Sequence, residues 1–195
     1  MKSIHNPLIE FKDLHWSYGE TLVLDGITSN INKGEFTSII GPNGSGKTTL
    51  LKHIFRLLPV DSGHVFLNTK EINSYSRKEL AREAGLVPQN EKGLYLFTVK
   101  DLIKMGRYAH TGRFSRETKH DQEIVAESMK MTSTLHLQDK IITELSGGEF
   151  QRVIISRALA QEPNIIALDE PTTYLDPHHQ VEILQLLKTL ISVKK

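Results

Sequence analysis

Hydrophobic and polar positions change period several times along this chain, and each change marks an element. Residues 8–18 and 21–32 are mixed polar and apolar runs joined at Gly19-Glu20, the pattern of an antiparallel hairpin. Lys33-Gly34 signals a turn, and Phe36-Thr37-Ser38-Ile39-Ile40 is short, apolar and β-branched, which predicts a buried strand. From Thr48 the period lengthens: Leu51, Ile54, Phe55 and Leu58 fall at i, i+3, i+4 and i+7, the stripe of a helix running to Leu58. Residues 59–63 interrupt it, 64–67 resume as a short strand, 76–82 read as a short helix, and 84–89 as a strand ending at Gln89. Residues 98–137 are rich in helix formers and predict helices at about 98–106 and 117–133, parted by Gly112 and Arg113. A further helix reaches Gln161 with Ile154, Ile155, Ala158 and Leu159 on its apolar side. Residues 164–168 then predict a short strand, and 177–191 a helix with Ile183, Leu186, Leu187 and Leu190 on one face, started by Asp176-Pro177. An antiparallel start followed by alternating helices and strands is an α/β pattern.

Between the expected strand at 36–40 and the helix after it lies Gly41-Pro42-Asn43-Gly44-Ser45-Gly46-Lys47-Thr48, which fits G-x-x-x-x-G-K-[ST] at every fixed position. The glycines let the backbone curl until successive N–H groups and the helix N-terminus point at one anion. Lys47 can then reach the β and γ phosphates of a nucleotide, and the Thr48 hydroxyl can ligate magnesium. A glycine turn before an ordinary helix is the plain alternative, and the strand, loop and helix order argues against it. Leu145-Ser146-Gly147-Gly148-Glu149 offers a second anion site, because Ser146 is a good N-cap and two glycines expose N–H groups at a helix start. The strand at 164–168 ends in two carboxylates. Alone they would read as a solvated turn; with a phosphate loop in the chain, Asp169 could hold magnesium and Glu170 could orient and deprotonate a water. Tyr18 could stack on an adenine ring or pack at the hairpin end.

Composition narrows the partners. The chain has 195 residues, 38% hydrophobic and 24% charged, enough for one globular domain. A net charge of +1 supplies no bulk positive field for nucleic acid. With Cys 0 there are no disulfides or thiolate metal sites, and Met1 to Asn6 lacks the apolar core of a signal peptide, so a cytosolic location is expected. No run approaches the ~20 apolar residues that span a bilayer, so a membrane role is expected to come through a partner.

Taken together, the phosphate loop, the Leu-Ser-Gly-Gly-Glu run and Asp169-Glu170 downstream resemble the ATP-binding subunit of ABC transporters along the whole chain. The resemblance implies a P-loop ATPase core with a mainly parallel sheet, an N-terminal antiparallel β layer and an inserted helical subdomain. It implies one ABC ATPase domain over 1–195, incomplete at its C-terminus. Within that domain the β layer would take 1–34, the nucleotide-binding core 35–88 and 160–195, and the helical subdomain with the signature 89–159. Tyr18 then looks like the adenine-stacking aromatic, and Gly41, Pro42, Asn43, Gly44, Ser45, Gly46, Lys47, Thr48 and Thr49 like the cradle for ATP. Gln89 resembles the residue that senses the γ-phosphate and magnesium, Thr48 and Asp169 further magnesium ligands, and Glu170 the catalytic base, with Lys47 and Gln89 beside it in catalysis. In the family two copies pair head to tail, so Ser146, Gly147 and Gly148 of one would close on ATP held by the other. Polytopic membrane permease subunits and, indirectly, an extracytoplasmic substrate-binding protein are the implied partners, with no nucleic acid, and the implied place is the cytoplasmic face of the membrane.

Residues 98–110 and Pro171-Thr172-Thr173-Tyr174-Leu175-Asp176 look most like importers of iron siderophores, haem and cobalamin. Glu149 stands where a glutamine is commoner, and Ala109 where a proline is often seen. The family has another strand after the last helix, ending in a histidine, which this chain does not reach, so residues 36–40 and 165–168 are expected to be unpaired with each other. His178 and His179 read as surface histidines instead. The stretch around 97–110, with Leu94, Tyr95, Phe97, Arg107 and Tyr108 expected exposed, is the candidate contact with a membrane partner. Two other readings stay open: a non-transport ABC ATPase, and a truncated nucleotide-binding protein without turnover.

Overall fold

In the computed structural model, which describes residues 7–89, 96–111, 117–173 and 175–193, the hairpin forms as its pattern predicts. Strand β1 (Ile9–Tyr18) pairs antiparallel with β2 (Thr21–Ile31), from Ile9 opposite Ile31 to Tyr18 opposite Thr21. Ile9 and Phe11 point inward at period two, but the next buried residue is Leu14. A bulge at Asp13, with φ 48°, inserts one residue and shifts the phase. Helix α1 (Lys47–Ile54) follows, then β3 (Ser62–Leu67) and β4 (Lys70–Glu71), which complete a four-stranded sheet in the order β2-β1-β3-β4. Helix α2 (Arg77–Glu83) comes next.

Two expectations fail here. Helix α1 stops at Ile54 and does not run on to Leu58. Arg56 adopts φ 49°, and the N–H groups of Arg56 and Leu57 turn back to the carbonyls of His53 and Lys52, the bonding of a Schellman stop. Residues 36–40, expected as a buried strand, enter no ladder with any described residue, and Phe36 (61%), Ile39 (40%) and Ile40 (91%) are exposed. A β-branched run has the side chains of a strand, but only a neighbour that takes its N–H and C=O groups makes it one.

The second half packs around its own core. Strand β5 (Ala84–Val87) and β6 (Ile165–Leu168) pair in parallel, Ala84 opposite Ile165 and Val87 opposite Leu168. Between them in sequence come α3 (Val99–Lys104), α4 (Lys119–Met131) and α5 (Gly147–Ala160), and α6 (Pro177–Val193) follows β6. The apolar stripe of α5 lies fully inside, with Ile154, Ile155, Ala158 and Leu159 buried against Val99, Ile103 and Met129. Thr118 and Asp121 cap α4 reciprocally, which sets its start two residues later than the pattern predicts. Contacts divide the chain into two compact units, Met1–Leu80 and Ala81–Lys195. No described helix is long and apolar enough to cross a membrane.

Arg107, expected exposed, is buried. Its Nε donates to Asp121 Oδ1 at 3.0 Å, and its Nη1 to Ala160 O and Glu162 Oε2, each at 2.8 Å. A buried guanidinium needs acceptors, and the first turn of α4, the end of α5 and the turn after α5 supply one each. Thr118 hydroxyl and N–H bonds, with Arg107, hold the Asp121 carboxyl down at about 2. Phe97 and Tyr108 are exposed as expected, while Leu94 and Tyr95 lie outside the described residues.

Candidate functional site

The candidate residues fall into both units. In the first, the loop from Gly41 to Lys47 turns at Gly44 (φ 81°) and again at Gly46 (φ 89°), which is the N-cap of α1. Both angles favour glycine. At Gly46 space matters as well: a Cβ there would lie 3.0–3.1 Å from Leu24 and Val23 on β2. Gly46 has no side chain to cap the first turn of α1, and a helix start of that kind suits an anion. The Lys47 ammonium reaches back over the loop and donates to Gly41 O and Pro42 O, each at 3.0 Å, which keeps the cation at the loop's mouth. Pro42, Asn43, Gly44 and Ser45 are exposed, Thr48 is half-buried and Thr49 is buried on the inner face of α1.

Tyr18 sits at the hairpin end, 46% exposed, and meets Trp16 edge-on at 5.9 Å. Trp16 in turn stands edge-on to His53 at 4.9 Å. His53 is fully buried on α1, and burial lowers its pKa, so the ring is neutral near pH 7. Its place on the inner face was missed: of the predicted stripe Leu51, Ile54, Phe55 and Leu58 only Ile54 is fully buried, and it shares that face with Thr49 and His53.

In the second unit, the parallel pairing of β5 with β6 joins residues 81 apart in sequence. Asp169 N–H extends the ladder to Val87 O at 2.9 Å, and just beyond it Gln89 Nε2 donates to Glu170 Oε2 at 2.6 Å. Thr173 Oγ1 donates to the same oxygen at 3.1 Å. Glu170 takes φ 47°, an uncommon angle for a residue with a side chain, so the backbone turns sharply between the two acids. Asp169 is buried while Glu170 is held by Gln89 and Thr173. The two carboxylates thus have different surroundings.

At α5, Ser146 Oγ accepts from Glu149 N–H and the Glu149 carboxylate accepts from Ser146 N–H at 2.8 Å. These bonds to Ser146 lower the Glu149 pKa, and a capping box works with glutamate or glutamine alike, which accounts for Glu149 at this position. The box uses the N–H groups of Ser146 and Glu149; those of Gly147 and Gly148, between them, have no acceptor within a helix's first turn. His178 is exposed as expected, but His179 is not a simple surface residue: it is half-buried, and its ring lies over Gly148.

With that geometry in view, the likenesses to known proteins are consistent. A family model described as ABC transporter matches residues 24–173. The ferric enterobactin transport ATP-binding protein FepC of Escherichia coli is 45% identical over 92% of this chain and 66% of its own length. The iron(3+)-hydroxamate import ATP-binding protein FhuC of Bacillus subtilis is 40% identical over 89% of this chain and 64% of its own. The chain therefore spans about two thirds of the length of these curated relatives. The solved structure of cbiO1 from Clostridium perfringens, part of the ABC transporter complex cbiONQ, superposes with a TM-score of 0.83 at 33% identity, covering 96% of this chain and 74% of that one. A family match across most of the chain, on a fold shared with a solved member, makes this protein a member of the ABC transporter family.

Proposed function

We propose that the chain binds and hydrolyses ATP to energise an importer of iron siderophores, haem or cobalamin. The observation that carries the ATPase reading is Glu170, held at 2.6 Å by Gln89 and at 3.1 Å by Thr173 beside the buried Asp169. A carboxylate fixed in this way can orient a water and take its proton. Import of a metal chelate is supported by the names of FepC and FhuC, which concern ferric enterobactin and iron(3+)-hydroxamate.

In this reading the N–H groups and Lys47 of the loop from Gly41 to Thr49 hold the phosphates, and the Tyr18 ring stacks on adenine. The oxygens of Thr48, Gln89 and Asp169 are hard donors of the kind magnesium takes. Magnesium, when bound, would neutralise phosphate charge. Lys47 acts on phosphate in the ground state, whereas Glu170 acts on the attacking water. The segment Ser146–Gly148 faces the nucleotide of a second copy in a head-to-tail dimer, and Phe97 and Tyr108 face permease subunits at the cytoplasmic side of the membrane.

The test separates the two roles. Lys47→Ala is expected to weaken ATP binding at least about 100-fold, the loss of roughly 3 kcal/mol of charge-assisted bonding. Glu170→Gln should bind ATP within about threefold of the native protein and lose turnover at least about 100-fold. Equal loss of nucleotide binding in both variants would refute the assignment.

A further inference from the structure

The residues on either side of Asp176 fold over the first turn of α5. Leu175 Cδ2 lies 3.4 Å from where a side chain on Gly147 would begin, an ordinary contact. On Gly148 the same point lies only 2.3 Å from His179 Cδ2 and 2.9 Å from its Cγ, closer than any real Cβ approaches. Glycine is a poor helix residue, and φ is not positive at 147 or 148, so backbone freedom does not explain Gly148. The approach of the His179 ring does.

That ring is fixed from below. Asp176 Oδ1 accepts the His179 backbone N–H at 3.1 Å, and Asp176 Oδ2 lies 2.5 Å from His179 Nδ1. The ionised carboxylate only accepts, so Nδ1 carries the hydrogen. Gln180 Nε2 donates to Leu175 O at 3.0 Å and ties the same loop to the start of α6. One carboxylate thus holds both the backbone and the ring of His179, and the ring rests on the second glycine of the signature.

We propose that His179 is a positioning residue for the signature: fixed by Asp176, it braces Gly148 and keeps the N–H groups of Gly147 and Gly148 in the geometry that meets nucleotide phosphate. This rests on the reading of Ser146–Gly148 as phosphate-facing. It links the loop 175–179 to the start of α5 within one chain, so that a shift of the loop reaches the signature backbone through the imidazole. Gly147, with only the ordinary contact to Leu175, carries no comparable constraint.

Amide exchange at residues 147–150, read on the nucleotide-free chain, tests the brace, and ATP turnover tests its use. His179→Leu keeps bulk but removes the donor, and exchange should rise at least about tenfold. In the same variant kcat should fall about tenfold with KM for ATP changed less than about threefold. His179→Asn restores an N–H close to Nδ1 and should recover most of both. Gly148→Ala should lower Tm by about 3–10 °C in the native background through overpacking. In His179→Ala it should raise Tm by about 2–4 °C, since alanine is the better helix residue once the ring is gone. Unchanged exchange in His179→Leu, or the same sign of Gly148→Ala in both backgrounds, overturns the brace. Faster exchange with unchanged kcat overturns the positioning role. Faster exchange in a chain whose native form lacks turnover leaves the brace standing and overturns the ATPase reading instead.

Discussion

The phosphate loop and the Gln89–Glu170 pair are assembled in opposite ways. Lys47 bonds to carbonyls five and six residues behind it, and the loop's shape follows from φ at two glycines. Gln89 meets Glu170 across 81 residues, through a parallel ladder of four pairs and the N–H of Asp169. A local device is specified by a short string of residues, because nearly all its constraints lie in backbone dihedrals. A long-range device exists only when two distant segments have already found their register, and a one-residue slip would turn the Gln89 and Glu170 side chains to opposite faces.

The largest effect should fall on the long-range half. Arg107→Ala strips Asp121, Ala160 and Glu162 of their shared donor, and breaking a buried pair costs about 3–5 kcal/mol. Thermal unfolding of the variant should show a Tm lower by about 6–20 °C. A shift below 2 °C would mean that the network is incidental to the second unit. Next comes the local half: Gly46→Ala meets Val23 and Leu24 and an unfavourable φ of 89°, a cost of about 1–3 kcal/mol. Its nucleotide affinity should fall with its Tm, and native-like ATP binding would show that the loop tolerates a different backbone.

Acid should separate the halves more gently. Asp121 is held down at about 2 by Thr118 and Arg107, below its ordinary value of 3.8. A depressed carboxylate stabilises fully above its unfolded value, so that contribution is complete above about pH 4 and is lost as pH falls toward 2. Urea titrations between pH 5 and 2 should show a loss for the native chain that Asp121→Asn lacks. The smallest effect on stability is expected from Gln89→Ala, within about 0.5 kcal/mol because the bond is exposed. Turnover in that variant should still drop about tenfold, since Glu170 keeps only Thr173. A Tm that falls with turnover would make Gln89 a structural residue.

Much of this molecule is legible in its residues alone. The hairpin about Gly19-Glu20, the N-cap at Ser146 and the buried stripe of α5 all follow from patterns within a dozen residues. The strand at 164–168 and its terminal acids were also readable, being apolar, short and bounded by turn signals. What misled was chemistry without context. Residues 36–40 have strand-like side chains and no ladder among the described residues, and Arg107 has the charge of a surface residue yet is buried against Asp121 and Ala160, with the exposed Glu162 as a third acceptor. His179 likewise reads as surface until Asp176 and Gly148 are seen around it.

The sequence by itself therefore determined most of the elements, the glycine loop before α1 and the two acids that follow β6, because dihedral preference, capping and periodicity act over one or two turns of chain. Only the tertiary structure decided that Gln89 holds Glu170, that Arg107 is a buried clamp and that His179 rests on Gly148. Each of those depends on where a second segment lies, and that is set by packing and strand register summed over the whole core, which no local pattern encodes.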